Sequence, residues 1–198
     1  TIIGGTCVHF MFGATAFDQL WYVQERGYER ALIAQNTGWF GVVGGILGNL
    51  IGGLGSDYWH KVTNKSRLSF LFVVMLILAP INIYYRIADP GTFFFWLGVF
   101  FTFFQLGVMY GPVYATLQEL APPQICSTVV AFNILMASVV GVGLSITASG
   151  LLIDYFVTIE MSNPYTGSLL VFTVMSMTSI PAFYLAMKYH QKEIALRA

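Results

Sequence analysis

Apolar runs of about 20 residues or more alternate along the chain with short polar segments, over roughly 1–23, 32–56, 68–86, 92–118, 127–156 and 168–187. A helix needs about 20 mainly apolar residues to cross the hydrocarbon. Six membrane-spanning helices are therefore predicted, joined by segments that hold most of the charge and turn chemistry. These are Gln24-Glu25-Arg26-Gly27, Trp59-His60-Lys61, Ala88-Asp89-Pro90-Gly91, Ala121-Pro122-Pro123-Gln124 and Ser162-Asn163-Pro164. Little chain remains for a soluble domain. The first run is too long for the core of a signal peptide and lacks a basic flank.

Composition agrees with the pattern: 57% of the residues are apolar and 9% charged, against about 25% charged in a soluble domain. Nine basic and nine acidic residues cancel, which leaves no basic field for nucleic acid. Cys7 and Cys126 both lie in apolar runs and read as inert buried thiols. Lys61, Lys65, Arg67, Lys188, Lys192 and Arg197 fall on one side of the predicted membrane, and Arg26, Arg30 and Arg86 on the other. Cytoplasmic loops are rich in Lys and Arg, so the second and fourth loops and a tail over 188–198 are expected inside. Trp21, Trp39, Trp59 and Trp96 all fall near predicted helix ends, as interfacial belts require.

A shift of 97 residues lays Gly44 over Gly141, Leu47 over Leu144, Gly53-Leu54 over Gly150-Leu151 and Asp57-Tyr58 over Asp154-Tyr155. Three helices is an odd number, so two such units, 1–90 and 91–187, would lie in the bilayer with opposite topology. The predicted fold is all-α: a six-helix membrane bundle of two inverted three-helix repeats. Small residues four apart mark close-packing faces at Gly44, Gly48 and Gly52, at Gly107, Gly111 and Ala115, and at Ala137, Gly141, Ser145 and Ser149. The second, fourth and fifth helices are accordingly expected inside the bundle. The third, nearly all Leu, Phe, Val, Ile and Met, reads as lipid-facing, with the sixth peripheral too.

The segment Gly53-Leu54-Gly55-Ser56-Asp57-Tyr58-Trp59-His60-Lys61 resembles the loop motif of the major facilitator superfamily, with Gly53, Asp57 and Lys61 matching, Tyr58 in place of the first basic residue and His60 in place of the second glycine. The run Tyr110-Gly111-Pro112-Val113-Tyr114-Ala115, with Gln118-Glu119-Leu120-Ala121-Pro122-Pro123, is similar to the junction of that family's tenth and eleventh helices, especially in its spinster-like and organic-anion-type branches. Cys126 stands where those branches usually carry Arg. The resemblance covers essentially the whole chain and implies one lobe, helices seven to twelve, of a twelve-helix transporter. It implies as partners an N-terminal six-helix lobe in the same or a separate chain, the lipid bilayer and a small-molecule substrate. The chain begins at Thr1 rather than Met and is expected to be a fragment or one half of a two-chain transporter.

Ionisable groups within spans are functional candidates, because each is costly in hydrocarbon unless it faces protein or water. Asp18 lies about 8 Å from the outer end of the first helix and shares a face with Cys7, Met11, Thr15 and Tyr22. It could bind substrate, carry a coupling proton, latch the outer gate, or be a carboxylate hydrogen-bonded near the interface. His9, near the midplane, is a proton-coupling candidate or a histidine satisfied in a helix contact. In an ideal helix it points about 180° from Asp18. Tyr110 and Tyr114 form the face favoured for the cavity, with Tyr22, Gln105 and Asn133 as further substrate-binding candidates. Pro112 permits a bend at a gate. Gly53, Asp57, Lys61 and Glu119 are gating candidates on the family motifs, and Asp154 mirrors Asp57 or is a solvated acid at a helix end. No phosphate-cradling glycine loop, His-Glu-x-x-His or Cys-x-x-Cys is present, so no enzyme, metal or cofactor is expected. The aromatic-rich spans, read as holding no buried Arg or Lys, suit an amphipathic or apolar solute. The alternative is a membrane receptor, sensor or assembly subunit that keeps the fold without transport.

Overall fold

The computed structural model of the protein describes residues 1–197, with side chains through Tyr189. Every element among them is helical. α1 (Ile2–Ala14) passes through a 3₁₀ turn (Thr15–Phe17) into α2 (Asp18–Gln24), and α3 (Arg30–Leu50) through a π-helical segment (Ile51–Gly55) into α4 (Ser56–Thr63). α5 (Arg67–Ile87) and α6 (Phe93–Leu120) follow. α7 (Cys126–Leu135) passes through a second π segment (Met136–Gly143) into α8 (Leu144–Thr158), ahead of α9 (Pro164–Ser176) and α10 (Ser179–Arg197). Five runs, Arg30–Thr63, Arg67–Ile87, Phe93–Leu120, Cys126–Thr158 and Pro164–Tyr189, are long and apolar enough to cross a membrane. The chain is a multi-pass helical membrane protein. Most of the predicted tail, with Lys192 and Arg197, lies outside the residues whose side chains are described.

The predicted first span is not one straight helix. The Thr15 hydroxyl donates to the Phe12 carbonyl three residues back, at 2.6 Å, and Phe17 sits at φ −95°, ψ −2°. A 3₁₀ turn advances about 120° per residue instead of 100°, so three such residues add about 60° of rotation. Asp18 is thereby turned off the face expected for it and into the protein interior.

α3 and α5 both pack on α6, α1 packs on the second π segment, α8, α9 and α10, and α5 also meets α9 and α10. Lipid gives apolar side chains no reason to associate, so such contacts depend on how closely backbones approach. At Gly44, Gly48 and Gly52 an added Cβ would lie 3.1, 2.5 and 2.4 Å from the carbonyl oxygens of Phe100, Phe104 and Val108 in α6. On the other side of the bundle, a Cβ at Gly141 would lie 3.0 Å from the Thr6 carbonyl and 2.5 Å from the His9 Cβ.

The expected distribution of helices between interior and lipid needs correction. Half of the most apolar stretch of α6 is buried, but only 17% of that in α3–α4 and 22% of that in α7–α8, against 39% in α5. Small residues mark where a helix is touched, not how much of it is covered. α3 and α7–α8 each present one glycine-rich face to a neighbour and leave Trp39, Val43, Ile46, Leu47, Leu135 and Val139 exposed. α5 is the better covered because Leu71, Met75, Leu78, Asn82 and Tyr85 form a continuous inward stripe. Trp21 also departs from expectation: it is fully buried, donating its indole N–H to Thr166 Oγ1 at 2.7 Å, and belongs to the interior rather than to an interfacial belt.

Candidate functional site

The bundle has two polar ends and, between them, a groove lined by tyrosines. α5 runs from Arg67 to Arg86, about 28 Å apart along the helix, and these two arginines head separate charge clusters. At the Arg67 end, Arg67 Nε donates to Asp57 at 2.6 Å, and its Nη1 to the Glu119 carboxylate. The cluster ties the close of the second span to the start of α5 and the end of α6. Glu119, for which position 126 offers no cation, thus meets an arginine 52 residues earlier. Of the other gating candidates, Lys61 is exposed. Gly53 contributes the backbone that a Cβ on Gly111 would meet at 2.9 Å. Pro112 is buried within α6, where its carbonyl accepts from Thr116 Oγ1 at 2.8 Å. The three charges are partly open to solvent, and pairs of that kind contribute about 0–1 kcal/mol. Arg67→Ala is therefore expected to lower stability by less than about 1 kcal/mol in thermal denaturation. A loss several times larger would make this cluster part of the core.

At the opposite end Asp18 accepts from Arg86 Nη1 at 2.6 Å, with the Arg86 side chain wholly buried. This overturns the expectation that the spans hold no buried cation. The Arg86 guanidinium lies 4.9 Å from the Trp21 ring centroid and 4.5 Å from that of Tyr85. Tyr22 is buried beside Trp21, ring centroids 4.9 Å apart. Arg26 donates to the backbone carbonyl of Arg86, and Glu25 accepts from the backbone N–H groups of Tyr165 and Thr166 at 2.7 and 2.9 Å. In this loop burial draws the Arg26 guanidinium down from its ordinary value while the Glu25 carboxylate pulls it back up. Asp18 and Tyr22 therefore belong to a closed network and not to an open cavity. Asp154, exposed near the end of α8, lies toward this same end, since α8 packs on α9 whose first turn holds Glu25.

Tyr110 and Tyr114 stack at 5.6 Å between centroids, 13° between planes. With Asn49, Gly111 and Ile134 they line an open groove of about 470 Å³. His9 is buried behind it, its Nε2 3.4 Å from the Tyr110 hydroxyl, and Asn133 is buried nearby, with Oδ1 unpartnered and 3.6 Å from where a Cβ on Gly5 would stand. The structure thus joins His9 to the tyrosine face across 101 residues of chain, although helical spacing set it apart from Asp18. Gln105 is not part of the groove: it accepts from Asn82 Nδ2 between α6 and α5. Arg86, Arg67, Asn82, Glu25, Arg26 and Thr166 are polar members of these clusters that the sequence does not single out as site residues.

No group of three or more His, Cys, Asp or Glu side chains that could hold a metal ion occurs among the described residues. Comparison of the chain with protein-family models, curated proteins and solved structures finds no match.

Proposed function

We propose that the chain is one lobe of a secondary transporter of the major facilitator type, moving a small organic solute by alternating access. A second six-helix lobe, in the same or another polypeptide, would complete it. The observation that carries this reading is an exchange symmetry in the packing. Substituting the fourth, fifth and sixth spans for the first, second and third turns the α3 contact on α6 into that of the fifth span on α1, and the α5 contact on α6 into that of α9 and α10 on α1. Individual residues follow. Gly44 faces Phe103 and Gly141 faces Thr6, and Thr6 moved by 97 positions falls on Phe103. Gly98 lies under Tyr85 and Gly4 under Phe183, pairs related by shifts of 98 for the aromatic residues and 94 for the glycines, one and three residues from the same shift. Two inverted repeats account for all of these pairings at once.

On this reading the exposed faces of α3 and α7–α8 flank the central pathway and meet the second lobe. The tyrosine groove opens onto that pathway, and the Asp57–Arg67–Glu119 cluster steadies the cytoplasmic face, with the C-terminus inside a cell membrane, plasma or bacterial inner. Energy comes from a gradient, with His9 the proton-coupling candidate that remains once Asp18 is committed to Arg86.

Single cysteines at positions 57 and 154, in a protein with Cys7 and Cys126 replaced by Ala, test the topology. A membrane-impermeant maleimide applied to intact cells is expected to label Asp154→Cys, and Asp57→Cys only after permeabilisation. Labelling of both from one side would overturn the inverted repeat. Counterflow of a panel of amphipathic solutes into proteoliposomes of the complete transporter tests the activity: saturable exchange is expected, and binding without flux would favour the receptor alternative.

A further inference from the structure

The hydrogen-bond directions behind the groove define what it can accept. His9 Nδ1 lies 2.7 Å from the Gly5 carbonyl. A carbonyl only accepts, so Nδ1 carries the ring proton of the neutral imidazole. Nε2 is then an acceptor, and the Tyr110 hydroxyl donates to it. With its proton turned inward, the Tyr110 oxygen presents lone pairs to the groove. Asn49 repeats the polarity, since its amide N–H donates to the Gly45 carbonyl at 2.9 Å and its carbonyl oxygen remains. No charged side chain lines the groove, and a charge taken out of water without a partner is costly. The two tyrosine rings, 13° apart in plane, give the groove an aromatic wall on which a planar ring can pack.

We propose that this groove binds an uncharged aromatic solute that donates an N–H or O–H hydrogen bond to Tyr110, and that protonation of His9 at Nε2 releases it. The proton enters the imidazole at Nε2, both ring nitrogens become donors, and the Tyr110 hydroxyl must then accept from His9 and turn its own proton outward. A groove that accepted from the solute now donates toward it, and two donors face each other. The proposal rests on the transport reading for its place in a cycle, whereas the site itself is tested by binding alone.

The titratable group facing His9 from α6 is Tyr110, with Tyr114 next along the same face; Glu119 lies nine residues beyond Tyr110, about 14 Å along the helix. The fifth span brings Gly141 and Asn133, and its Asp154 lies about 20 Å beyond Gly141. α9 carries no charged residue, and from α10 it is Phe183 that packs on α1 at Gly4, five residues before Lys188. On α1–α2 itself, Cys7 is two residues away and Asp18 is held by Arg86. Protonation of His9 therefore acts on one hydroxyl.

The test is equilibrium binding to the full-length protein in lipid nanodiscs, with empty nanodiscs subtracted, using indole, 1-methylindole, tryptamine and indole-3-acetate between pH 5 and 8. Indole is expected to bind roughly tenfold tighter than 1-methylindole, the fold-change of one hydrogen bond, and tighter than either charged congener. Its affinity should fall on acidification, although indole itself does not titrate in this range. In Tyr110→Phe and His9→Gln the pH dependence should vanish, and in Tyr110→Phe the preference over 1-methylindole as well. Equal binding of indole and 1-methylindole, tighter binding of a charged congener, or an affinity flat with pH in the unmodified protein would each overturn the proposal, whether or not the variants fold. Binding of the expected pattern with no counterflow would leave the site standing and remove the transport reading instead.

Discussion

Alanine at Arg86 is expected to destabilise the fold by about 3–5 kcal/mol, the range for breaking a buried ion pair from one side. The arginine is completely buried and its partner Asp18 nearly so, so removing the cation strands a carboxylate among Trp21, Tyr22 and Tyr85. The loss of cation–π contact with Trp21 and Tyr85 adds to the same side. Asp18→Ala should act in the same direction, leaving a guanidinium whose Nε and Nη2 already lack a partner. The double replacement Asp18→Ala with Arg86→Ala should be milder than the sum, because neither charge is then left alone. Thermal unfolding in detergent of the two single variants and the double variant reads this directly. The measurement also separates two roles for Asp18. A substrate ligand would lose binding and keep its melting temperature on substitution, whereas a network member loses the melting temperature first. Neutral single substitutions, or strictly additive ones, would remove the network from the account of stability.

How much of this was legible in the sequence depends on the range of the interaction. Five of the six predicted spans were, because hydrocarbon forces every backbone group into local hydrogen bonds and so into apolar runs of fixed length; the first, divided by the turn at Thr15–Phe17, is not among the runs long and apolar enough to cross. The glycine faces of α3, α6 and the fifth span were, because residues four apart share one side of a helix. Their burial was not: it depends on how many neighbours a helix has, and α3, with a glycine stripe, is less covered than the stripe-free α5. Arg86 sits one turn from a polar loop and reads as a boundary residue. Only the turn at Thr15–Phe17, which rotates Asp18 by about 60°, brings the carboxylate to it. The sequence marks both His9 and Tyr110 yet gives them different surroundings, since nothing local tells which helix α1 will face. The groove was therefore half legible: Tyr110, Tyr114 and Asn133 lie at or beside it, while Gln105 turned toward Asn82 and Tyr22 toward Trp21.

The second large effect concerns the contact between α3 and α6, where backbone meets backbone. A side chain at Gly48 or Gly52 would enter at 2.5 or 2.4 Å from a main-chain carbonyl, and a carbonyl within a helix cannot move aside as a side-chain tip can. Gly48→Val and Gly52→Val are therefore each expected to cost at least about 2 kcal/mol, toward the upper part of the range for overpacking, and to lower folded yield in detergent. Gly38→Val and Gly45→Val lie on the same helix with nothing within 4 Å of an added Cβ, so they should be nearly neutral and control for helix propensity and expression. Gly107, on α6, faces the Gly45 carbonyl and the Asn49 nitrogen at 2.8 and 2.9 Å, so Gly107→Val should damage the fold alone yet add little to Gly48→Val. Once the two helices have been forced apart, the second side chain enters space that the first has opened. That non-additivity distinguishes a contact set by helix separation from a row of independent clashes. Equal losses at Gly38 and Gly48 would mean that the backbone, and not the crossing, is what valine disturbs.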